Sequence, residues 1–391
     1  MRSQFSVIIQ GIKRRLRPVK YILFKIKYTL FCLFSRFNSV ENCLHDSKSS
    51  ILFITHSLGG GTYQFEKNFI KERVKEKIFV LRIISYGQNI CYVLENQMNG
   101  KKFYIFPTKL QQIFSTKYQK VIINSLVQNY DLFNFIDLLL EYKIKYPEVE
   151  YTYHVHDFHC ICPSLNLVVK DWYCNLSCKE HNCFFDKFIY GYDGDIGSWR
   201  RIWEKLLLHT DKIVCFSESS KQILVSVYPS IEQLKILVLP HDMSYSNFSP
   251  VVVEKNNSIN IGIIGACSYI PKGKLVIERL FREVSHDVCF SMIGSYKRKF
   301  QCDRDNVSWY GKYRQQELQT IVEKSRVNLV IFPSVCPETF SYLISEIIQM
   351  DIPILCFDIG AQGEKVKAYK KGYVCRNIDE MLSILGKLNQ F

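Results

Sequence analysis

The chain has 391 residues, of which 47% are hydrophobic, and a formal net charge of +14. That length and apolar content allow two α/β domains with cores of their own, and exclude a disordered chain or one that needs covalent staples to fold. Fifteen cysteines, an odd number scattered from Cys32 to Cys375 without a disulfide framework, exclude a disulfide-rich secreted scaffold and indicate a reducing, cytoplasmic setting.

In chain order, residues 1–50 read first as a basic amphipathic segment. Residues 1–36 hold nine Lys and Arg and no acid, so this tip supplies +9 of the +14. Its stretch YILFKIKYTLFCLF, residues 21–34, is interrupted by Lys25 and Lys27 and is shorter than the roughly 20 apolar residues a membrane span requires. An apolar face flanked by cations suits a helix lying on an anionic membrane surface, which predicts a protein peripheral to the inner face of the cell membrane. The other reading is a basic helix packed on its own domain. A signal peptide fits poorly because no small-residue cleavage site follows. A nucleic-acid partner is disfavoured: the tip has aromatic residues, but no helix-turn-helix, RRM or zinc-finger signature follows.

From ILFIT (51–55) onward, apolar runs of strand length alternate with helical patterns: IFVLRII (79–85), KVIIN (120–124), YTYHV (151–155), KIVCF (212–216) and ILVL (236–239). A polar stretch at 244–258 reads as a linker. A second series follows, with INIGIIG (259–265), DVCFSMIG (287–294), NVSWYG (306–311), RVNLVIF (326–332) and IPILCF (352–357). The alternation predicts α/β architecture: two Rossmann-like doubly wound domains, 51–245 and 259–375, facing a central cleft, with a C-terminal helix over 376–391.

Several stretches carry candidate chemistry. After the first strand, Gly59, Gly60 and Gly61 let the backbone turn sharply toward a ligand before a helix from about Thr62. The pattern is neither G-x-G-x-x-G nor a P-loop, and the second strand lacks the terminal acid that would hold a nicotinamide ribose. His154, His156, Asp157 and His159 end another strand, with His156 nearest the end where function collects; a histidine pairing structurally with Asp157 is the equal alternative. Cys162, Cys174, Cys178 and Cys183 could supply four thiolates to a structural zinc, although the spacing is not that of a standard finger and a cysteine-rich loop is the other reading. The D-x-D at Asp193 to Asp195 lies among glycines and reads as a turn. In the second series, a strand reaches Gly265 and is followed by Lys272 and Lys274 at a helix start, where a lysine can meet a phosphate.

The stretch PETFSYLISE, residues 337–346, holds Glu338 and Glu346 between two core strands. A helix beginning near Thr339 to Ser341 places Glu338 before it and Glu346 inside it, at the border of an apolar arc of Leu343, Ile344, Ile347, Ile348 and Met350. The loop after a parallel strand is where α/β sheets bind anions, while helix electrostatics and solvation explain most glutamates.

Taken together, ILFITHSLGGGT, HDFHCICP, DKIVCFSESSKQIL, IGIIGACSYIPKG and the E-x7-E element resemble the retaining glycosyltransferases of GT-B fold, often called group 1, over roughly residues 51–375. The resemblance implies transfer of a sugar from a nucleotide-sugar donor to a glycan or lipid-linked acceptor, of hexosyltransferase type, with no cofactor or metal in the chemical step. Bacterial cell-surface polysaccharide assembly is the implied setting. By the same resemblance, Glu338 would hydrogen-bond the donor sugar, amides of Thr339, Phe340, Ser341 and Tyr342 would meet its diphosphate, and Glu346 would take the ribose hydroxyls. Gly60, Gly61 and Gly265 would line the donor, Lys272 would neutralise its phosphates, and His156 would line the reacting face. Relatives commonly place an arginine where this chain has Ala266, which leaves the phosphate lysine open between Lys272 and Lys274. A sugar-nucleotide epimerase of the same fold and a catalytically silent membrane-bound scaffold are the alternatives.

Overall fold

The computed structural model describes residues 22–23, 26, 44, 50–86, 89–177, 192, 194–233, 236–244, 246–252 and 259–388. In chain order its first elements are β1 (Ser50–His56), α1 (Gly61–Glu72), β2 (Lys77–Tyr86), β3 (Asn89–Asn96), β4 (Lys102–Ile105), β5 (Lys120–Ile123), α2 (Leu132–Lys145) and β6 (Glu150–His154). They are followed by β7 (Val168–Val169), β8 (Trp172–Tyr173), α3 (Ile196–Leu208), β9 (Lys212–Cys215), α4 (Glu218–Val227) and β10 (Ile236–Val238). The second series is β11 (Asn260–Ile264), α5 (Lys274–Glu283), β12 (Cys289–Ile293), β13 (Val307–Gly311), α6 (Leu318–Ser325) and β14 (Leu329–Phe332). It ends with α7 (Tyr342–Gln349), β15 (Ile354–Phe357), α8 (Gly360–Lys367), β16 (Gly372–Cys375) and α9 (Ile378–Leu388).

The first sheet has eight strands in the order β10-β9-β6-β5-β1-β2-β3-β4. β1 pairs in parallel with β2 on one side and β5 on the other, so the chain switches direction across the sheet at β1. The loop leaving β1, which carries the three glycines, therefore lies at a switch point. Beyond β2 the sheet turns antiparallel, β2 with β3 and β3 with β4, an edge that alternation of strands and helices did not foretell. The core under α1 joins Ile51, Phe53, Ile78, Val80 and Ile122 to Phe65, Phe69 and Ile70.

The second sheet has six strands in the order β13-β12-β11-β14-β15-β16, and every pairing in it is parallel. Counted from β11 this is the 3-2-1-4-5-6 order of a dinucleotide-binding Rossmann sheet. Its inner strands, β11, β12, β14 and β15, are buried on both faces, with successive residues pointing to opposite sides, while the edge strands β13 and β16 are partly exposed. Ile261, Ile263, Phe290, Leu329, Ile331 and Leu355 pack against α5 and α9. Ile264, Ile293, Val330, Phe332, Ile354 and Cys356 pack against α6, α7 and α8. Helices on both faces make the sheet doubly wound.

By packing, the described residues fall into two compact units, one within Met1–His154, Lys187–Gly194 and Arg201–Ile213, the other within Val155–Asp186, Asp195–Arg200 and Val214–Phe391. Among the described residues no helix is long and apolar enough to cross a membrane. Of the basic tip, only Ile22, Leu23 and Ile26 lie within the described residues; they are helical and exposed.

At the ends of β11 and β12 two glycines approach each other. Gly265 and Gly294 both have φ of 100°, and a Cβ on Gly294 would sit 2.7 Å from the Gly265 carbonyl oxygen. Gly294→Ala therefore meets both an unfavourable φ and a backbone clash, and should cost about 1–3 kcal/mol. Urea unfolding monitored by circular dichroism checks this, and a loss below about 0.5 kcal/mol would contradict the packing described.

Candidate functional site

In the second sheet the loops after β11 and β14 leave from the switch point, so they border the crevice where such sheets hold ligands. They are stitched to each other. The Pro271 carbonyl accepts from the Val335 amide at 3.0 Å and from Ser334 Oγ at 3.2 Å. Gly273, with φ of 87°, makes the approach possible, because a Cβ there would lie 2.1 Å from the Pro333 carbonyl oxygen. This close contact sets Lys272 against the other loop.

Lys272 Nζ donates to Glu338 Oε1 at 2.5 Å. Burial works to lower the lysine pKa, yet the adjacent carboxylate outweighs it and holds the ammonium well above its ordinary range. Lys274, the alternative phosphate ligand, starts α5 and pairs with Glu278 of its own helix at 3.3 Å. The structure thus brings Lys272, and not Lys274, to Glu338. Ala266 is exposed on the same loop.

Glu338 is held through its backbone. Its amide donates to Gln362 Oε1 at 2.9 Å, Gln362 Nε2 donates to the Cys336 carbonyl at 2.7 Å, and its own carbonyl accepts from the Ala361 amide at 2.9 Å. Gln362 is fully buried, so these bonds form in a poorly screened interior and fix where the carboxylate points.

Ser341 is the N-cap of α7 in an extended conformation, and its side chain caps no amide. Thr339, Phe340 and Ser341 make no amide hydrogen bond to an acceptor among the described residues, as expected where a helix begins without a capping side chain. Thr339 Oγ1 donates to the His156 carbonyl at 2.8 Å, which ties the predicted histidine to the predicted amide turn. A column of rings runs beside them. His156 stacks on Phe216 at 4.5 Å, Phe216 on His241 at 4.0 Å, and His241 meets Phe340 at 4.6 Å and Tyr342 at 5.0 Å. His241 escaped the sequence reading, although its place just past a strand end was a usable signal.

Two ionisable groups behind this turn have displaced affinities for protons. Glu346, the fifth residue of α7, is buried, and burial pushes its carboxyl up to about 7 even though Gln315 Nε2 donates to it at 2.6 Å. Lys365 of α8 donates to the Ser341 carbonyl at 3.2 Å and Ser345 Oγ at 2.7 Å, with its Nζ 3.2 Å from the centre of the Phe340 ring. Burial lowers this lysine to about 7, a shift that Glu338 and Glu364 only partly oppose. Nothing in the local sequence around Lys365 distinguishes it from a solvated helical lysine.

In the first unit, Gly60 caps α1 with φ of 91°, a conformation that only glycine takes without strain. The Leu58 amide donates to His56 Nδ1 at 3.0 Å, and burial lowers His56 to about 4, so a neutral ring anchors the glycine loop. Gly59, Gly60 and Gly61 are exposed. His154 is buried with Nδ1 2.9 Å from Asn124 Oδ1, a structural placement.

Cys162 is buried with Sγ 3.2 Å from Ser164 Oγ, and Cys174 is half-buried. Cys178 and Cys183 lie outside the described residues, and among the described residues no group of three metal-ligating side chains converges. Asp195 accepts from the Ser198 amide at 2.8 Å and Oγ at 2.7 Å, capping α3, while Asp193 lies outside the described residues.

No protein-family model and no curated protein sequence matches the chain. Solved structures do. The sucrose-phosphate synthase of Thermosynechococcus elongatus is 11% identical with a TM-score of 0.55, the match covering 87% of this chain and 90% of that one. Anabaena HepE in complex with UDP is 14% identical with a TM-score of 0.56, covering 87% and 90%. The lipopolysaccharide outer core galactosyltransferase WaaB is 14% identical with a TM-score of 0.54, covering 87% and 89%. The chain has the GT-B fold of these glycosyltransferases, as the resemblance in its sequence implied.

The loop-to-loop ion pair is testable by itself. A double-mutant cycle on Lys272→Met and Glu338→Gln should return a coupling of about 1–3 kcal/mol in urea unfolding, with Lys272→Met the costlier single change because it strands a mostly buried carboxylate. A coupling near zero would mean that the pair does not hold the loops together.

Proposed function

We propose that the chain is a retaining glycosyltransferase that moves a sugar, of hexosyl type, from a nucleotide-sugar donor to a glycan or lipid-linked acceptor in bacterial cell-surface polysaccharide assembly. One observation carries this reading: Lys272, Glu338 and the amide turn of α7 converge at the switch point of a Rossmann sheet. Helix amides and a lysine favour a diphosphate, and a carboxylate beside them suits sugar hydroxyls. The GT-B relatives support the choice of donor, since HepE has been solved with UDP, with UDP and glucose, and with UDP-glucose. WaaB, a lipopolysaccharide galactosyltransferase, supports the choice of pathway.

In this reading the leaving diphosphate collects negative charge as the sugar departs. Lys272 and the amides of Thr339, Phe340, Ser341 and Tyr342 meet that charge without reorganising, so the chemical step needs no metal. When the donor occupies the site, Lys272 divides its attraction between phosphate and Glu338, freeing the carboxylate to accept from the sugar. Gly265 leaves room beside the turn, Glu346 accepts from the ribose hydroxyls, and His156 lines the reacting face. Gly60 and Gly61 leave exposed backbone without a Cβ at the switch point of the first sheet, which suits the donor-lining role the resemblance gives them.

The two glutamates should then respond differently to removal. Glu338→Ala should lower kcat by about 10- to 1000-fold, whereas Glu346→Ala should chiefly raise the donor KM. Glu346 also sets a pH dependence. Its raised pKa means that the ligand-free protein is mostly protonated there below about 7, while ribose hydroxyls need the ionised form. Affinity for UDP-glucose, whose phosphate diester does not titrate in this range, should therefore tighten by up to about tenfold per unit as pH rises toward 7, then level off. Glu346→Gln should flatten that limb; Lys365→Met, which removes the other group titrating there, should retain it. Calorimetry from pH 6 to 8 reads all three proteins, and a wild-type affinity independent of pH would end the ribose assignment.

The basic tip, with Ile22, Leu23 and Ile26 exposed, supports docking on an anionic membrane. A chain lacking residues 1–36 should no longer cosediment with phosphatidylglycerol vesicles. Unchanged cosedimentation would return the tip to a packing role.

A further inference from the structure

A cavity lies within the first unit, beside the glycine loop. It has a volume of about 580 Å³ and is bordered by the loop Ser57–Gly59, by Tyr63, Lys67 and Lys71 on α1, and by Arg82, Glu95 and Lys102 on the β2–β4 edge. The volume suits one or two sugar rings, within the range usual for small-ligand sites.

The charges along it are unequal. Glu66, buried on α1, gives both carboxylate oxygens to the Arg82 guanidinium, at 3.0 and 2.5 Å. Glu95 lies 3.3 Å from Lys102 Nζ and 4.0 Å from Arg82. Both acids of the wall are thus engaged by cations of the wall. Lys67 and Lys71 remain, exposed, four residues apart on one face of α1, where like charges repel. An anion between them relieves that repulsion. Lys67 Nζ also lies 4.9 Å from the ring centre of Tyr63, and Tyr63 and Leu58 are exposed apolar surfaces beside it. An aromatic face next to engaged carboxylates and spare cations matches a saccharide that carries a negative group: ring carbons lie on Tyr63 and the anion reaches Lys67 and Lys71.

The cavity is also joined to the glycine loop. Arg82 donates to the His56 carbonyl at 3.4 Å, and His56 Nδ1 accepts from the Leu58 amide. Its floor and the turn at the β1 switch point are therefore one hydrogen-bonded piece.

We propose that this cavity binds the acceptor, and that the acceptor is an acidic saccharide bearing a carboxylate or a phosphate. The identity of the ligand as acceptor rests on the glycosyltransferase reading; the existence of an acidic-sugar site does not.

The experiment uses the full chain and three probes: methyl β-D-glucuronide, glucose 6-phosphate and the neutral methyl β-D-glucoside, each titrated by calorimetry at low and moderate salt. An acidic probe should bind at least tenfold more tightly than the glucoside and weaken as salt is added. Whichever acidic probe binds better identifies carboxylate or phosphate as the group read. Lys67→Glu with Lys71→Glu should remove at least tenfold of the acidic probe's affinity, and the milder Lys71→Met part of it, while the urea midpoint and UDP-glucose binding stay unchanged. Equal affinity for acidic and neutral probes, or acidic binding that survives charge reversal, overturns the site. Selective binding of an acidic probe by a protein that ignores UDP-glucose would keep the site and remove the donor assignment instead.

Discussion

The contact on which the arrangement of the second unit's candidate site depends is the seam between the loops after β11 and β14. Two parallel strands from opposite halves of a Rossmann sheet end side by side, and nothing in strand pairing alone keeps the loops beyond them together. Here the join is made by backbone and charge. Pro271 accepts from Ser334 and Val335, Gly273 has no Cβ to collide with Pro333, and Lys272 crosses to Glu338. A residue larger than glycine at 273 would separate the loops and carry the lysine away from the carboxylate.

Much of this was legible because it follows from periodicity and chain order. The apolar runs LVIF at 329–332 and IPILCF at 352–357 read as strands covered on both sides, and the segment between them then crosses over as a helix, which puts Glu338 before that helix and Glu346 inside it. What was not legible lies where burial is decided by distant segments. Lys365 reads as a solvated lysine in GEKVK until α8 packs over the start of α7 and places its Nζ against Ser341 and Phe340. Gln315 and Gln362 have no local signature either, since each matters only through a partner at least 24 residues away. The antiparallel edge β3–β4 was missed for a related reason: a strand added beyond β2 by a hairpin does not interrupt the alternation that identifies a doubly wound sheet.

Lys272 and Lys274 show how local geometry separates two residues that spacing leaves alike. Both lysines stand beside the same glycine and both precede helical residues. The left-handed turn at Gly273 separates their directions, so that one extends along the loop toward Glu338 and the other belongs to α5 and pairs with Glu278. The turn at Gly273 thus decides which of the two lysines meets the carboxylate beside the switch point.

Glu346 and Lys365 share a property that links structure to ligand binding. Each is a charged group that burial has moved to about 7 by penalising its ionised form, one an acid and the other a base. In both cases the penalty comes chiefly from lost solvation. The two differ in what they already hold. Lys365 is engaged inside the protein by the Ser341 carbonyl, Ser345 Oγ and the face of the Phe340 ring, whereas the Glu346 side chain accepts from Gln315 alone among the described residues. A ligand that supplies hydroxyl donors to Glu346 would stabilise the carboxylate and release a proton there as it binds, so in the proposed reading the glutamate, and not the lysine, is the group through which pH acts on donor affinity.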